Sequence, residues 1–443
     1  MAINTENIPE SDLISGKRIP GLLALSPLLV FLVVYAVSSV IARDFYKVPI
    51  AAAFMIASAW SLVMTRGVKG TDSKLSIFSR GAGNPNVLLM IWIFVLAGAF
   101  ASTAKDIGAI DATVAFALSI LPGKLVYAGM FVASCFISMA IGTSVGTIVA
   151  LVPVAVGIAS QTGTGVPHMT AIIIGGAFFG DNLSFISDTT IAATKSLGCS
   201  MKDKFRANLK IALPAALAVA LVYVYQGMSA QMNVSAAGYD IVKMLPYILV
   251  IVLALCGMNV VTVLANGIVA NAIIGFFTGA YGWVGWMTSV GKGISDMGEL
   301  IIVTLLAGGM LEMIRYNGGL QYVTSLFSKG ISSRKGAYFG IAALVSLANL
   351  CTANNTVAII TTGGMAKEIT DRFGLDPKRS ASILDTFSCL IQGIIPYGAQ
   401  LLMASGLAGV SAISIIGNLY YPLALGICAA GAILLSGDKS TNN

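Results

Sequence analysis

The feature that most constrains this chain is a recurrence of apolar runs between Pro20 and Leu435. Most are about 18 to 23 residues long, enough for a helix to cross a hydrocarbon core of roughly 30 Å. Ten such runs read as full crossings: Pro20–Ala42, Val48–Thr65, Asn86–Ala104, Met169–Thr194, Asn208–Gln226, Ile241–Cys256, Met258–Ala280, Glu299–Arg315, Ser382–Gly409 and Ile413–Leu435. Two further apolar stretches, Tyr127–Ser160 and Ala337–Ile369, are interrupted at Gly142–Thr147 and Cys351–Thr356. Irregular backbone at membrane depth survives only where protein or water satisfies it. Both stretches therefore read as re-entrant hairpins. The expectation is an all-α polytopic membrane protein in a bacterial inner membrane, surrounded by lipid.

Charge gives the orientation. A net charge of +7 on a soluble chain would raise the question of nucleic acid, but here charged residues are only 10% of the sequence against 57% hydrophobic. The basic residues cluster between apolar runs: Lys17-Arg18, Arg66/Lys69/Lys74/Arg80, Lys195/Lys202/Lys204/Arg206/Lys210, Lys329/Arg334/Lys335, Lys367/Arg372/Lys378/Arg379 and Lys439. The connections Gln161–His168, Gly227–Tyr239 and Val410–Ile416 contain no Lys or Arg. The segmentation above puts every basic cluster on the cytoplasmic side, as the positive-inside rule requires, with both termini cytoplasmic. A nucleic-acid partner is not expected. The polar segment before the first run reads as retained, because that run is too long for a signal peptide. Six scattered Cys, with no C-x-x-C spacing, give neither a zinc site nor a disulfide framework.

The two halves resemble each other. Leu96-Ala97-Gly98 recurs as Leu306-Ala307-Gly308; Gly81, Gly83 and Gly108 match Gly291, Gly293 and Gly318 at the same shift, and Thr143 and Thr147 fall on Thr352 and Thr356 after a one-residue slip. Each half holds five crossings and one hairpin, so a tandem copy must be inverted in the membrane. The expected layout is a cytoplasmic segment (1–19), a first repeat (20–226), an external linker (227–239), a second inverted repeat (240–435) and a cytoplasmic tail (436–443). Inverted repeats with helices broken near the midplane are the sequence mark of alternating-access carriers.

Ionisable residues inside crossings point to the chemistry, since each costs about 2.5–3.5 kcal/mol to insert. The densest stretch runs from Gly180 to Thr190, with Asp181, Ser184, Ser187, Asp188, Thr189 and Thr190 between two apolar half-helices. Hard cations such as sodium take oxygen ligands, and an unwound segment here would offer carboxylate, hydroxyl and carbonyl oxygens. Ser187 or Asp188 also suits a helix N-cap. Asp181 closes the first half-helix, where the dipole opposes a negative charge. In the second half Asp385 lies in an apolar helix that breaks at Gly393 and Pro396. The hairpin tips add Thr143, Ser144, Thr147, Asn354, Asn355 and Thr356 as lining residues or as partners for exposed backbone. Glu312 has Arg315 at i+3, and it is read as structural together with Glu299, Asp106 and Asp111. Gly142-Thr143-Ser144-Val145-Gly146 matches G-x-S-x-G. The strand–helix context is absent and the chain's one histidine, His168, falls in an external connection. An enzyme is not expected, and no cofactor is required.

The stretch from Gly180 to Thr190 resembles the G-D-K-x-S-P-L-S-D-T-T segment of the NhaC-type sodium/proton antiporter family, of the ion transporter superfamily. Gly180, Asp181, Ser184, Ser187, Asp188, Thr189 and Thr190 match; Asn182 replaces the Lys, and Phe185-Ile186 replace Pro-Leu. Leu384-Asp385-Thr386 and Ile395-Pro396-Tyr397 are similar to the family's E-D-S and I-P-W, without the first acid. The resemblance implies a homodimer with a scaffold and a moving transport domain, and sodium/proton exchange, with malate/lactate or amino-acid transport in some members. The expected function is export of cytoplasmic sodium against incoming protons by an elevator-type movement. Sodium would sit at Asp181, Asp188 and Asp385, and proton and cation would compete for them, since burial disfavours a bare carboxylate and a bound cation restores it. The alternative is a sodium- or proton-coupled carrier of a small organic acid or amino acid, its carboxylate held at the Asn354-Asn355-Thr356 tip by a helix N-terminus.

Overall fold

The computed structural model describes residues 21–42, 48–68, 70–184, 187–230, 238–319, 322 and 333–435. The segments expected at the two cytoplasmic ends, most of the 227–239 linker, and Lys17, Arg18, Lys69, Lys329 and Lys439 lie outside these residues. In chain order the main helices begin with α1 (Ser26–Ala42), α2 (Ile50–Met64), α3 (Thr71–Ala82), α4 (Pro85–Asp106), α5 (Ala109–Ile120), α6 (Val126–Ile141) and α7 (Ser144–Thr162). There follow α8 (Val166–Leu183), α9 (Asp188–Leu197), α10 (Met201–Ser229), α11 (Ile241–Leu255), α12 (Val260–Thr278) and α13 (Trp283–Asp296). The last are α14 (Gly298–Tyr316), α15 (Arg334–Thr352), α16 (Asn355–Arg372), α17 (Pro377–Ile394), α18 (Ala399–Ala408) and α19 (Tyr420–Leu434). The described residues form no strands, and eight of their spans are long and apolar enough to cross a membrane. This is a polytopic helical membrane protein.

Each expected crossing contains a helix, but only five of the ten are among those eight spans; α1, α2, α11 and α19 are apolar yet only 15 to 17 residues long, and α14 qualifies only together with α13. Both expected interruptions are breaks between helices. Three helices were not foreseen: α3, α5 and α13. Each is only 12 to 14 residues long, too short for a search tuned to membrane thickness. The hairpin arms are longer than expected. Gly123–Ile141, Ser144–Thr162 and Arg334–Thr352 are each long and apolar enough to span.

The chain divides into two compact units, each drawing on both halves of the sequence. One comprises residues 1–92, 298–330 and 350–352. Its core sets α14 against α2 and α3. A side chain at Gly81 would run into the Gly308 carbonyl, and one at Gly309 into the Phe78 ring. Only glycine lets these two backbones approach so closely. Asn317 Nδ2 donates to Thr65 Oγ1 at 2.8 Å, fixing the end of α14 to that of α2. As the sequence suggested, Arg315 pairs with Glu312, at 3.5 Å.

The other unit comprises 93–297, 331–349 and 353–443. At its core α8 is enclosed by α6, α7, α17 and α19, and from Met169 to Phe178 all its side chains are buried. Small residues permit the packing: a side chain at Gly176 or Gly180 would strike Ser134 or Ser138 of α6. Those serines instead donate to the Ile173 and Ala177 carbonyls at 2.7 Å. Here too two glycine backbones meet, Gly98 of α4 against Gly293 of α13. His168, expected in a connection, belongs to the first turn of α8 and lies among Tyr127, Tyr223 and Tyr420.

The hairpin register differs from the sequence alignment. Gly142 ends α6 in a left-handed conformation (φ 76°), and the corresponding residue is Ala353 (φ 50°), a shift of 211. The same shift carries the bond between Ser138 and the Ala177 carbonyl onto that between Asn349 and the Ser388 carbonyl. Thr143 and Ser144 therefore correspond to Asn354 and Asn355, not to Thr352 and its neighbour. The Thr-to-Thr match was an identity between residues on opposite sides of the turn.

Candidate functional site

The crossing from Val166 to Leu197 is broken, but over a shorter stretch than its polar composition suggested. Asp181 and Asn182 remain in the last turn of α8, and the backbone leaves the helix only at Ser184. Ser187 restarts it. Its Oγ accepts from the Thr190 N–H at 3.2 Å, so Ser187, not Asp188, is the N-cap of α9. Three hydroxyls bind the break internally. Ser187 and Thr189 donate to the Asp181 carbonyl at 2.9 and 3.3 Å, and Thr190 to the Ser184 carbonyl at 2.9 Å. The first turn of α9 holds Asp188, whose side chain is exposed.

Asp181 is buried, and its Oδ1 accepts the Ser144 N–H at 2.9 Å, the first residue of α7. The first hairpin thus presents a helix N-terminus to a carboxylate that also closes the end of α8. One dipole opposes the charge and the other favours it. The sequence showed only the opposing one. Ser144 Oγ accepts from Gln400 Nε2 at 3.0 Å; Gln400 Oε1 accepts from Gln392 Nε2 at 2.9 Å, and that amide also donates to the Ala353 carbonyl at 3.0 Å. A line of side-chain bonds therefore runs from one hairpin tip to the other, ending on Asp181.

Asp385 lies mid-way along α17, fully buried. Its Oδ2 meets Lys204 Nζ at 2.7 Å and accepts from Asn208 Nδ2 at 2.8 Å. Both donors come from α10, and both also reach the Asn182 carbonyl, at 3.0 and 2.8 Å. Lys204 is fully buried too, which corrects its place in the cytoplasmic basic cluster. On α10 the exposed residues Lys202, Arg206 and Lys210 form one stripe, while Lys204, Asn208, Ile211 and Ala215 face inward. Lys204 belongs to the core face. Helical phase was the signal that could have found it.

The remaining expected residues divide. Thr147 is buried and donates to the Thr143 carbonyl at 3.1 Å. Asn354 Oδ1 and Asn355 Oδ1 accept from the Val357 and Thr356 N–H groups, both at 3.0 Å, so they cap α16. Asn355 Nδ2 faces Cys389 Sγ at 3.9 Å. Several buried side-chain oxygens have no partner among the described residues: Asp385 Oδ1, Asn182 Oδ1, Asn208 Oδ1, Thr386 Oγ1 and Gln392 Oε1. Buried polar atoms are normally satisfied. Buried carboxylates and bare oxygens are the ligand types that a hard cation takes.

Comparison with known proteins agrees with this chemistry. The model of the Na+/H+ antiporter family matches residues 18–228 and 234–436. The Bacillus subtilis malate-2H(+)/Na(+)-lactate antiporter is 25% identical over 406 residues, covering 84% of this chain and 86% of its own. The Na(+)/H(+) antiporter NhaC of the same organism is 26% identical, covering 72% and 78%. Among solved structures, the Alcanivorax borkumensis YdaH transporter aligns over 92% of this chain and 97% of its own, at 12% identity and a TM-score of 0.42. A membrane chain matched by one family model through nearly all its length, with buried carboxylates and unpaired oxygens in its core, belongs to the Na+/H+ antiporter family.

Proposed function

We propose that this protein exports sodium from the cytoplasm in exchange for protons, with Asp181 as the carboxylate that sodium and proton occupy in turn. One observation carries the reading: Asp181 is a buried acid without a cationic partner, placed where a helix break meets a hairpin tip. Ser144, Ser184, Ser187 and Thr189 surround that junction with oxygen. Burial disfavours the bare carboxylate, so an empty Asp181 takes up either cation. Release of one then favours capture of the other, which couples the fluxes. Asp188 is exposed and assists only through its charge.

Alternating access by an elevator-type movement, within an inner-membrane homodimer with cytoplasmic termini, completes the proposal. Its support is the inverted repeat. The contacts Gly81 against Gly308 and Gly98 against Gly293 correspond to within two residues, Gly98 falling on Gly308 at a shift of 210 and Gly81 on Gly293 at a shift of 212. The 211-residue correspondence of the hairpins supports it independently, and the two family-model segments join inside the expected linker.

A second reading, carriage of an organic acid, is favoured by the malate/lactate antiporter among the relatives. Against it, the side chains of Asn354 and Asn355 already occupy the N–H groups that would hold a carboxylate. The test is a sodium pulse to proteoliposomes with an internal pH dye and no organic acid. Protons should move opposite to sodium, and Asp181→Asn should abolish the movement while leaving folding intact. A requirement for malate, lactate or an amino acid would overturn exchange in favour of the carrier.

A further inference from the structure

We propose that Lys204 is a resident cation that fills one of the two buried carboxylates, so that the site takes one monovalent cation per cycle and its exchange for a proton moves no net charge. The proposal rests on the exchange reading above and fixes its stoichiometry and selectivity.

The geometry is that of a permanent pair. An ammonium has three donors, and all three of Lys204's are used: on Asp385 Oδ2 at 2.7 Å, Thr190 Oγ1 at 2.7 Å and the Asn182 carbonyl at 3.0 Å. None is left for a substrate carboxylate. Neither side chain of the pair has any exposure. Asn208 locks the arrangement by donating to the same Asp385 oxygen and the same carbonyl. Lys204 thus ties Asp385 to both sides of the helix break that carries Asp181.

Asp181 has no such cationic partner among the described residues; its carboxylate accepts from the backbone N–H and the side chain of Ser144. Nor does the repeat supply a second free acid. The 211-residue shift that superimposes the hairpins carries Asp181 onto Gln392, a neutral amide. Asp385 falls on Ile174, so it is not the counterpart of Asp181. Among the described residues the buried charged side chains are Asp181, Asp385 and Lys204, which sum to one negative charge. Sodium or a proton brings that sum to zero. A divalent cation would leave a buried excess of positive charge, which a desolvated site disfavours.

The test uses wild-type proteoliposomes in which a sodium gradient opposes a proton gradient and potassium with valinomycin sets the potential. The balancing sodium gradient should be the same at zero potential and at about 59 mV. One net charge per cycle would shift it tenfold over that interval and overturn the proposal. If sodium moves no protons at either potential, the exchange reading fails first and this proposal falls with it. Lys204→Gln unmasks Asp385: exchange should become dependent on potential and inhibited by calcium that leaves the wild type unaffected. The double variant Lys204→Gln, Asp385→Asn should regain independence of potential and resistance to calcium, and it serves as the variant test if the single change prevents folding. Calcium resistance and an unmoved balance point in Lys204→Gln would show that Lys204 neutralises nothing at the site.

Discussion

Replacing Asp385 by Asn keeps the shape of the side chain and removes its charge, leaving Lys204 as an unpaired ammonium with no exposure to water. Breaking a buried pair by deleting one partner costs about 3–5 kcal/mol. Two of Lys204's three acceptors, Thr190 Oγ1 and the Asn182 carbonyl, survive, which favours the lower part of that range. At about 2 °C per kcal/mol for a large domain, the unfolding temperature in detergent should fall by roughly 6 °C. Loss of monodisperse elution after graded heating would measure it. Two controls frame the result. Asp371→Asn breaks the exposed pair with Lys367, at 3.4 Å, where the expected cost is under about 1 kcal/mol. Lys204→Met with Asp385→Leu removes both charges, and well-packed apolar replacement of a buried pair is often neutral. The double variant should therefore melt within about 2 °C of the wild type. Raising salt should alter none of these differences at the buried pair, since screening acts on exposed charges. If Asp385→Asn melts with the Asp371→Asn control, or if its deficit vanishes in high salt, then Lys204 reaches water and the pair is not what holds α10 against α17.

Asp188→Asn should retain most of the sodium-driven proton movement that Asp181→Asn loses, because the exposed Asp188 is not the cap; Ser187→Ala, which removes the cap of α9 and its bond to the Asp181 carbonyl, should impair exchange more than Asp188→Asn does. Gly98→Leu should prevent folding or lower the unfolding temperature sharply, since any side chain there meets the Gly293 backbone; Gly431→Leu, with open space around it, should fold normally.

Most of the fold was legible because the membrane imposes one length on every crossing and tolerates broken backbone only in special places. Gly142, left-handed at the tip of the first hairpin, and Pro396, in the break after α17, were readable for that reason. Short helices such as α5 escaped because 12 residues do not span. The hairpin alignment slipped because a shared Thr outweighed the shared turn geometry of Gly142 and Ala353. At the site, Asp181 and Asp385 were legible as acids in apolar surroundings. Lys204 was not, because it lies among Lys202, Arg206 and Lys210, where any count of charge along the sequence assigns it to the surface. Asn208, Gln392 and Gln400 carry no charge, so only their positions in three dimensions distinguish them from ordinary polar residues.

Lys204 also answers the question raised by Asn182. The resembling family carries a lysine at that position of its motif, and its replacement by an amide looks, in sequence, like the loss of the site's positive charge. In space the charge is present. The Lys204 ammonium sits 3.0 Å from the carbonyl of Asn182 itself, delivered from α10 rather than from α8. An ammonium carried at position 182 of α8 would be the next residue to Asp181 in the chain and could meet its carboxylate. One carried on α10 reaches the break from outside, through Thr190 and the Asn182 carbonyl, and spends its remaining donor on Asp385. The substitution therefore separates two tasks that one residue could have combined: Lys204 neutralises Asp385 from a neighbouring helix, and Asp181 is left to a mobile cation. Placing a lysine back at position 182 in the presence of Lys204 would put two ammonium groups against one carboxylate pair. Such a variant should lose sodium competition at Asp181, and Asn182→Lys combined with Lys204→Gln should recover part of it. Equal exchange by Asn182→Lys and the wild type would mean that the ammonium at residue 204 does not count toward the charge of the transport site.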